Sequence, residues 1–477
     1  MSNLKPSMDV RVPDELWLEM FVDLARSDLI SLHAVSRTFH CISRPLVFNS
    51  FDFHPYAVSV SQIRQLPSNY TRVVEATARL LFWASRDIAP FVQRCTVRPW
   101  HRHTSDQNED YAPCNDPERL LDTFFSLLPR FKNLRWATFA YVTFQSPRVS
   151  LLLSLQHLED LCVEQCSMAA GDHLDPSVAI HIAKFQFLYS DPGPLIPTCG
   201  ANRWLPLLEA EKLNHLTLSF DNGALAALQT AGPISFPNVH TLHIRVIEWQ
   251  VIVYLPNFPN VRSLYIESYS DHPIPAGVER IVLTQLERYT GPVRLLVLFD
   301  PETSPKLLRI LGCTDSLFLD TARNWVNSHR VTVLALTLEC LEPGTLRVLL
   351  EYWTGLVKFR LAIQAGPGSY GEMERNLLTE LAMLQVPQSL THLFITSPVH
   401  MPESEAEKTE IISIARTAVS SLLLGRTNLG HLLILTFQRE YQWLRFDGTE
   451  GVVESICQSG EDGWLRGIGR MDAAMAD

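Results

Sequence analysis

A six-residue core recurs along the chain: an apolar residue, two of any kind, a second apolar residue, one of any kind, and a third apolar residue. It starts at Leu134, Leu158, Ile182, Leu213, Val239, Val261, Val293, Thr314, Val331, Leu356, Leu390 and Leu429. Leu213-Asn214-His215-Leu216-Thr217-Leu218 and Val261-Arg262-Ser263-Leu264-Tyr265-Ile266 are typical copies. The starts lie 17 to 39 residues apart, about 27 on average, a period that belongs to arrays of stacked units rather than to one closed domain. With 46% apolar and 19% charged residues, a chain of 477 residues has material to bury such an array.

Within each core the alternation of apolar and polar residues predicts a short strand. Helical stripes fall between the cores at 123–128, 205–213, 346–352, 377–384 and 411–424. Strands alternating with helices imply a parallel sheet with helices on one side, so the fold class is α/β, over 121–447. Side chains flanking the apolar strand positions face the open side of that sheet. They are candidates for holding a target: Trp136, Thr138, Thr217, His243, Arg245, Tyr265, Glu267, Arg360 and Phe394. Residues 56–120 lack the core and read as a joint, helical over 63–95 and a polar loop over 98–118. Residues 448–477 read as a tail, with 1–10 a short leader to the rest.

The first fifty residues follow a different period. Val12, Leu16, Trp17, Met20, Phe21 and Leu24 mark one face of a helix that opens at Pro13, with Asp14 and Glu15 at its positive end. Ser27 restarts the pattern as a cap, and Leu29, Leu32, Val35 and Phe39 form a second stripe, followed by a turn through Ile42, Pro45, Leu46 and Phe48. A unit of about forty residues cannot bury enough surface to stand alone. Its apolar side therefore packs either on the rest of the chain or on another protein, and helix periodicity does not choose between them.

The run Val12-Pro13-Asp14-Glu15-Leu16, then Asp28-Leu29, then Val35-Ser36-Arg37-Thr38-Phe39 resembles an F-box over residues 11–55, with valine in place of the usual leucine before the proline. The resemblance implies a three-helix unit that binds the Skp-type adaptor, and through it the cullin scaffold, of a ubiquitin ligase. It places the contacts at Pro13, Leu16, Leu29, Val35 and Phe39, supported by Val12, Met20, Leu24 and Leu32. The body resembles the irregular leucine-rich repeats that follow an F-box in fungal and plant proteins. Regular repeats carry Asn or Cys three residues beyond the last strand position, and here Cys166 and Asp221 meet that rule whereas Val142, Ile247, Tyr269 and Pro398 do not. The resemblance implies an adaptor, not an enzyme, that brings an unidentified protein target to the ligase. A repeat scaffold unconnected with ubiquitin is the alternative.

Other chemistries fit poorly. A net charge of −11 opposes the counterion release that drives nucleic-acid binding. No apolar run reaches membrane-spanning length and no secretory leader opens the chain, so no membrane partner is expected and the location is cytoplasmic or nuclear. Nine irregularly spaced cysteines fit reduced thiols, Cys162 and Cys166 among them. Cys95, His101, His103 and Cys114 could ligate zinc, but their spacing matches no zinc module, so no metal is expected. Gly366-Pro367-Gly368-Ser369-Tyr370-Gly371 matches a dinucleotide fingerprint formally. The next strand, however, ends in Ile395-Thr396-Ser397-Pro398 without the acid that would hold a ribose. No cofactor is expected, and no nucleophile elbow or phosphate loop appears.

Overall fold

The computed structural model describes residues 12–58, 64–67, 70–101, 111–113, 118–169, 179–188, 201–219, 235–246, 254–268, 278–325, 328–364, 370–396, 431–436, 439–445 and 452–458, with isolated positions between 410 and 429. His103 and Cys114 of the candidate zinc set, Asp221, Gly366 and Gly368, and the tail 459–477 lie outside the described residues. Two compact units divide the chain, residues 1–234 and 235–477.

The first unit opens with three helices: α1 (Asp14–Val22), α2 (Arg26–His33) and α3 (Arg37–Val47). The Pro13 carbonyl accepts from Leu16 and Trp17 to begin α1. Ala25, not Ser27, precedes α2, and its carbonyl accepts from Asp28 and Leu29. The second stripe breaks at Ser36, whose hydroxyl accepts from the Phe39 N–H at 3.1 Å and caps α3. Phe21, Leu29, Ile42 and Val47 form the buried centre of the three, with Trp17, Leu32 and Phe39 packed around it.

Six parallel strands follow: β1 (Ser50–Phe53), β2 (Arg94–Val97), β3 (Trp136–Ala140), β4 (Asp160–Glu164), β5 (Lys184–Leu188) and β6 (His215–Ser219). Helix α4 (Tyr70–Trp83) lies between β1 and β2, α5 (Arg119–Leu127) between β2 and β3, and α6 (Ser146–Leu153) between β3 and β4. The apolar positions stack in register, Phe51 beside Cys95, Ala137, Leu161, Phe185 and Leu216 in turn. All six are buried, so each strand covers the edge of its neighbour's core.

The second unit repeats the device with eight parallel strands. They are β7 (Thr241–Val246), β8 (Ser263–Ser268), β9 (Arg288–Gly291), β10 (Leu307–Cys313), β11 (Val333–Leu338), β12 (Lys358–Ile363), β13 (His392–Thr396) and β14 (His431–Thr436). Two antiparallel strands, β15 (Arg439–Arg445) and β16 (Val452–Gln458), complete it. Helix α7 (Asp315–Asn324) joins β10 to β11, α8 (Thr345–Tyr352) joins β11 to β12, and α9 (Tyr370–Ala382) joins β12 to β13. Among the described residues no helix is long and apolar enough to cross a membrane.

A backbone feature fixes the register. At the foot of a strand one carbonyl accepts from two successive N–H groups of the next unit, as Gln93 does from Arg135 (2.9 Å) and Trp136 (3.0 Å), and Thr332 from Val357 (2.7 Å) and Lys358 (3.0 Å). Among the described residues the arrangement occurs at five junctions of the first unit and six of the second. Side chains just ahead of the core reinforce it. Asn133 donates to the Pro90 carbonyl (2.7 Å), Asn260 to that of Pro237 (2.8 Å) and Ser389 to that of Thr354 (2.8 Å).

Several expectations change. Val293 starts a 3-10 helix, Val293–Leu298, because a spacing of three between apolar residues suits that turn as well as a strand. Thr314 caps α7 through its hydroxyl, which accepts from the Leu317 N–H. The strands of that region are instead β9 and β10. In β9 the pair Tyr289 and Gly291 stands where other strands have two aliphatic residues. The Tyr289 ring reaches across to the place beside Gly291, its hydroxyl 2.6 Å from where a Cβ on Gly291 would be and donating to the Pro292 carbonyl at 2.9 Å. The sheet also begins before residue 121, since Phe48-Asn49-Ser50-Phe51-Asp52-Phe53 and Val92-Gln93-Arg94-Cys95-Thr96-Val97 are two further copies of the core. Within 98–118, Trp100–His101 and Tyr111–Pro113 are short strands of a separate four-stranded sheet with Ala57–Val58 and Arg64–Pro67. Residues 452–458, assigned to the tail, are strand β16.

Candidate functional site

Two surfaces stand out, one on each unit. On α1, Phe21 is the one fully buried side chain, with Trp17 half-buried beside it. Trp17, Phe21 and Phe39 pack as an aromatic trio with ring centroids 5.0 to 5.9 Å apart. That trio holds the helices together and turns the rest of the apolar stripe outward. Leu16 is 49% exposed, Met20 60% and Val35 66%, and Val12, Pro13 and Leu24 are exposed as well. Leu18, Val22 and Ile30, which the motif did not single out, join them. Of fifteen exposed large apolar side chains among the described residues, eight fall between Val12 and Val35, so the surplus is local to this unit rather than general.

The remaining candidates of this segment lie inward. Leu29 belongs to the buried centre of the three helices, and Leu32 and Phe39 are half-buried against it. Their contribution to any surface is to hold α2 and α3 in place. The opposite end of α3 joins the sheet. Arg44 Nη2 donates to the Asp87 carbonyl at 2.9 Å, its guanidinium lies over the Phe91 ring, and Phe48 meets the Trp83 ring at 5.5 Å. The helices are thus fastened to the first unit by the C-terminal end of α3 while α1 keeps its apolar flank in solvent.

The second surface is the open face of the sheet in the second unit. Tyr265, Arg288, Arg309 and Arg360 border a pocket of about 320 Å³ there. Thr241, Ser263 and Thr290 line it as well, and Leu307, Val333 and Ala335 give it apolar walls. Among the described residues no carboxylate lines it. The register places Arg309, Ala335 and Arg360 side by side on β10, β11 and β12, so a methyl group separates two guanidinium arms. Burial, then the Glu267 carboxylate, push the Tyr265 phenol up, with Arg309 and Arg245 opposing, and the phenol remains a neutral donor.

Of the nine residues expected to face a target, Tyr265 and Arg360 therefore share this pocket. His243 sits beside Tyr265, ring centroids 4.1 Å apart, and Arg245 pairs with Glu267 at 2.7 Å. In the first unit Trp136 is half-buried under the Arg94 guanidinium, 4.6 Å from its ring centroid, and Thr138 is half-buried. Thr217 is buried, as is Phe394 with no exposed surface, because their strands are covered on both faces. Buried side chains offer nothing to a partner. Sequence reasoning passed over Arg288 and Arg309, which fall in strands whose cores it placed elsewhere.

The thiols of Cys166, Cys162 and Cys95 are part of the packing. Cys166 is buried, accepts from the Val142 N–H at 3.4 Å and donates to the Phe139 carbonyl at 3.2 Å, bonding the turn backbone as the sequence rule expects. Burial pushes Cys166 and Cys162 up to about 12, and Cys95, inside β2, higher still. Among the described residues no three His, Cys, Asp or Glu side chains gather as a metal site.

No family model matches this chain, and no curated protein matches it either.

Proposed function

We propose that the chain is a non-catalytic adaptor: its N-terminal helices dock a Skp-type subunit of a ubiquitin ligase, and its sheet face receives a protein target. What carries this reading is the exposed apolar flank of the helical unit, formed by Leu16, Met20 and Val35, residues at which the resemblance to an F-box puts adaptor contacts. Burying each contributes about 1.5 to 3 kcal/mol, and several together outweigh the cost of association. The flank lies where a second protein can reach it, since α3 fastens the unit through Arg44 and Phe48 on its other side. The strand-and-helix body supports the same reading as an irregular leucine-rich repeat, a frame that presents side chains on one face. Bond making would belong to other subunits, and this chain would act by raising the local concentration of its target.

The test is capture of a purified Skp-type adaptor by the full chain. Pro13→Ala combined with Leu16→Ala should abolish capture while leaving the circular dichroism spectrum unchanged, because both residues are exposed. Capture by the double variant at the level of the parent would overturn the reading.

A further inference from the structure

We propose that the pocket on the second unit's sheet binds an acidic side chain, carboxylate or phosphate, carried on an extended peptide with apolar neighbours. The proposal rests on the reading that the sheet face receives a target, and it names the chemistry of that target. Three arginines, Arg288, Arg309 and Arg360, border one cavity in a protein of net charge −11, and among the described residues no carboxylate lines it. Neither Arg288 nor Arg309 forms an ion pair among the described residues, whereas Arg245, near the same face, is already paired with Glu267. Like charges facing one cavity repel, and an anion among them turns that repulsion into attraction.

Geometry narrows the ligand. Adjacent strands lie about 4.8 Å apart, so Arg309 and Arg360, flanking Ala335, stand about 10 Å apart at their α-carbons, and both arms can close on one group. Planar guanidinium forks match carboxylate and phosphate oxygens two at a time. Ala335 leaves the gap that admits the anion, and Thr290, the neighbour of Arg309 on β9, lines the same pocket. Leu307 and Val333 favour an apolar residue next to the acid. Nucleic acid fits less well, because among the described residues Tyr265 is the one aromatic ring in the lining and single strands need successive stacking platforms.

The experiment measures fluorescence anisotropy of the full chain with a labelled decapeptide alternating glutamate and leucine, its glutamine counterpart, a version with a central phosphoserine, and oligothymidylate. The acidic peptides should bind saturably and the glutamine peptide should not. Tighter binding of the phosphoserine peptide assigns phosphate, and equal or weaker binding assigns carboxylate. Arg309→Gln removes an exposed charge and should weaken binding roughly tenfold, the loss expected for one charge-assisted pair. Ala335→Leu fills the gap with every arginine retained and should abolish binding. Absence of acidic-peptide binding, equal binding of the glutamine peptide, full binding by both variants, or tighter binding of oligothymidylate would each overturn the proposal. Adaptor capture is followed in parallel. Intact capture without peptide binding removes only this pocket's assignment, and peptide binding without capture removes only the ligase reading.

Discussion

Asp315 carries more of the second unit than its place at the start of a helix suggests. Its carboxylate is buried and accepts from the Ser316 N–H (2.7 Å), the Glu342 N–H (2.9 Å) and the Thr345 hydroxyl (3.0 Å). One side chain thus ties the start of α7 to the turn that opens α8. Asp315→Ala leaves the buried Thr345 hydroxyl and two backbone N–H groups without this acceptor and should cost roughly 1 to 3 kcal/mol, with Asp315→Asn losing less because it keeps one acceptor oxygen. Urea midpoints of the two variants check the order. Three histidines contribute to the response to mild acid. His33 is held below the ordinary 6.5 by burial, then by His40 and Arg44. His215 is lowered by burial and then Lys184, against Asp160, and His392 by burial and then Lys358. Below pH 6.5 the unfolded chain binds more protons at these sites than the folded one, so stability is whole above that pH and falls as pH drops toward the lowered values. The thermal midpoint should decline over that window, and replacing all three by glutamine should flatten the decline.

Strands such as β7, β8, β11 and β12 were legible in the sequence because all three apolar positions of the core are aliphatic or aromatic, whereas β1, with Phe48, Phe51 and Phe53 in those places, was passed over beside the helical stripe that ends in Phe48. The period failed where one residue does two jobs. Tyr289 fills its own place and reaches across to that beside Gly291, so β9 lacks the pattern, and Pro305 at the head of β10 hides a core that Leu308 and Ile310 complete. False starts arose at Val293 and Thr314 because a spacing of three serves helices as well as strands. The side-chain bonds between units were not legible either. Sequence reasoning looked for Asn beyond the strand, whereas Asn133 and Asn260 bond to the preceding unit from just ahead of the core. Only the structure reveals which carbonyl lies opposite. The helical unit was legible in outline, yet the division of its apolar residues into an inner set around Leu29 and an outer set around Leu16 and Val35 depends on how three helices cross, which periodicity does not encode. Pocket residues Arg288 and Arg309 were missed for the same reason as their strands.

The two candidate surfaces belong to different units and share no residue, and substitutions without common partners act independently. An adaptor needs that independence, since one surface must stay docked while the other takes and releases a target. Val35→Asp places a charge on a side chain already 66% exposed, so it should not unfold the helices, but it should stop an adaptor protein from covering that flank. Its expected outcome is loss of Skp-type capture with acidic-peptide affinity unchanged. Arg309→Gln should do the reverse, weakening the peptide and leaving capture intact. Measuring both affinities for both variants, and for the two combined, gives a double-mutant cycle whose coupling should lie within about 0.5 kcal/mol of zero. A larger coupling would mean that occupancy of the pocket is felt at the helices, and under the proposed adaptor reading the chain would then act as a switch rather than as a passive link.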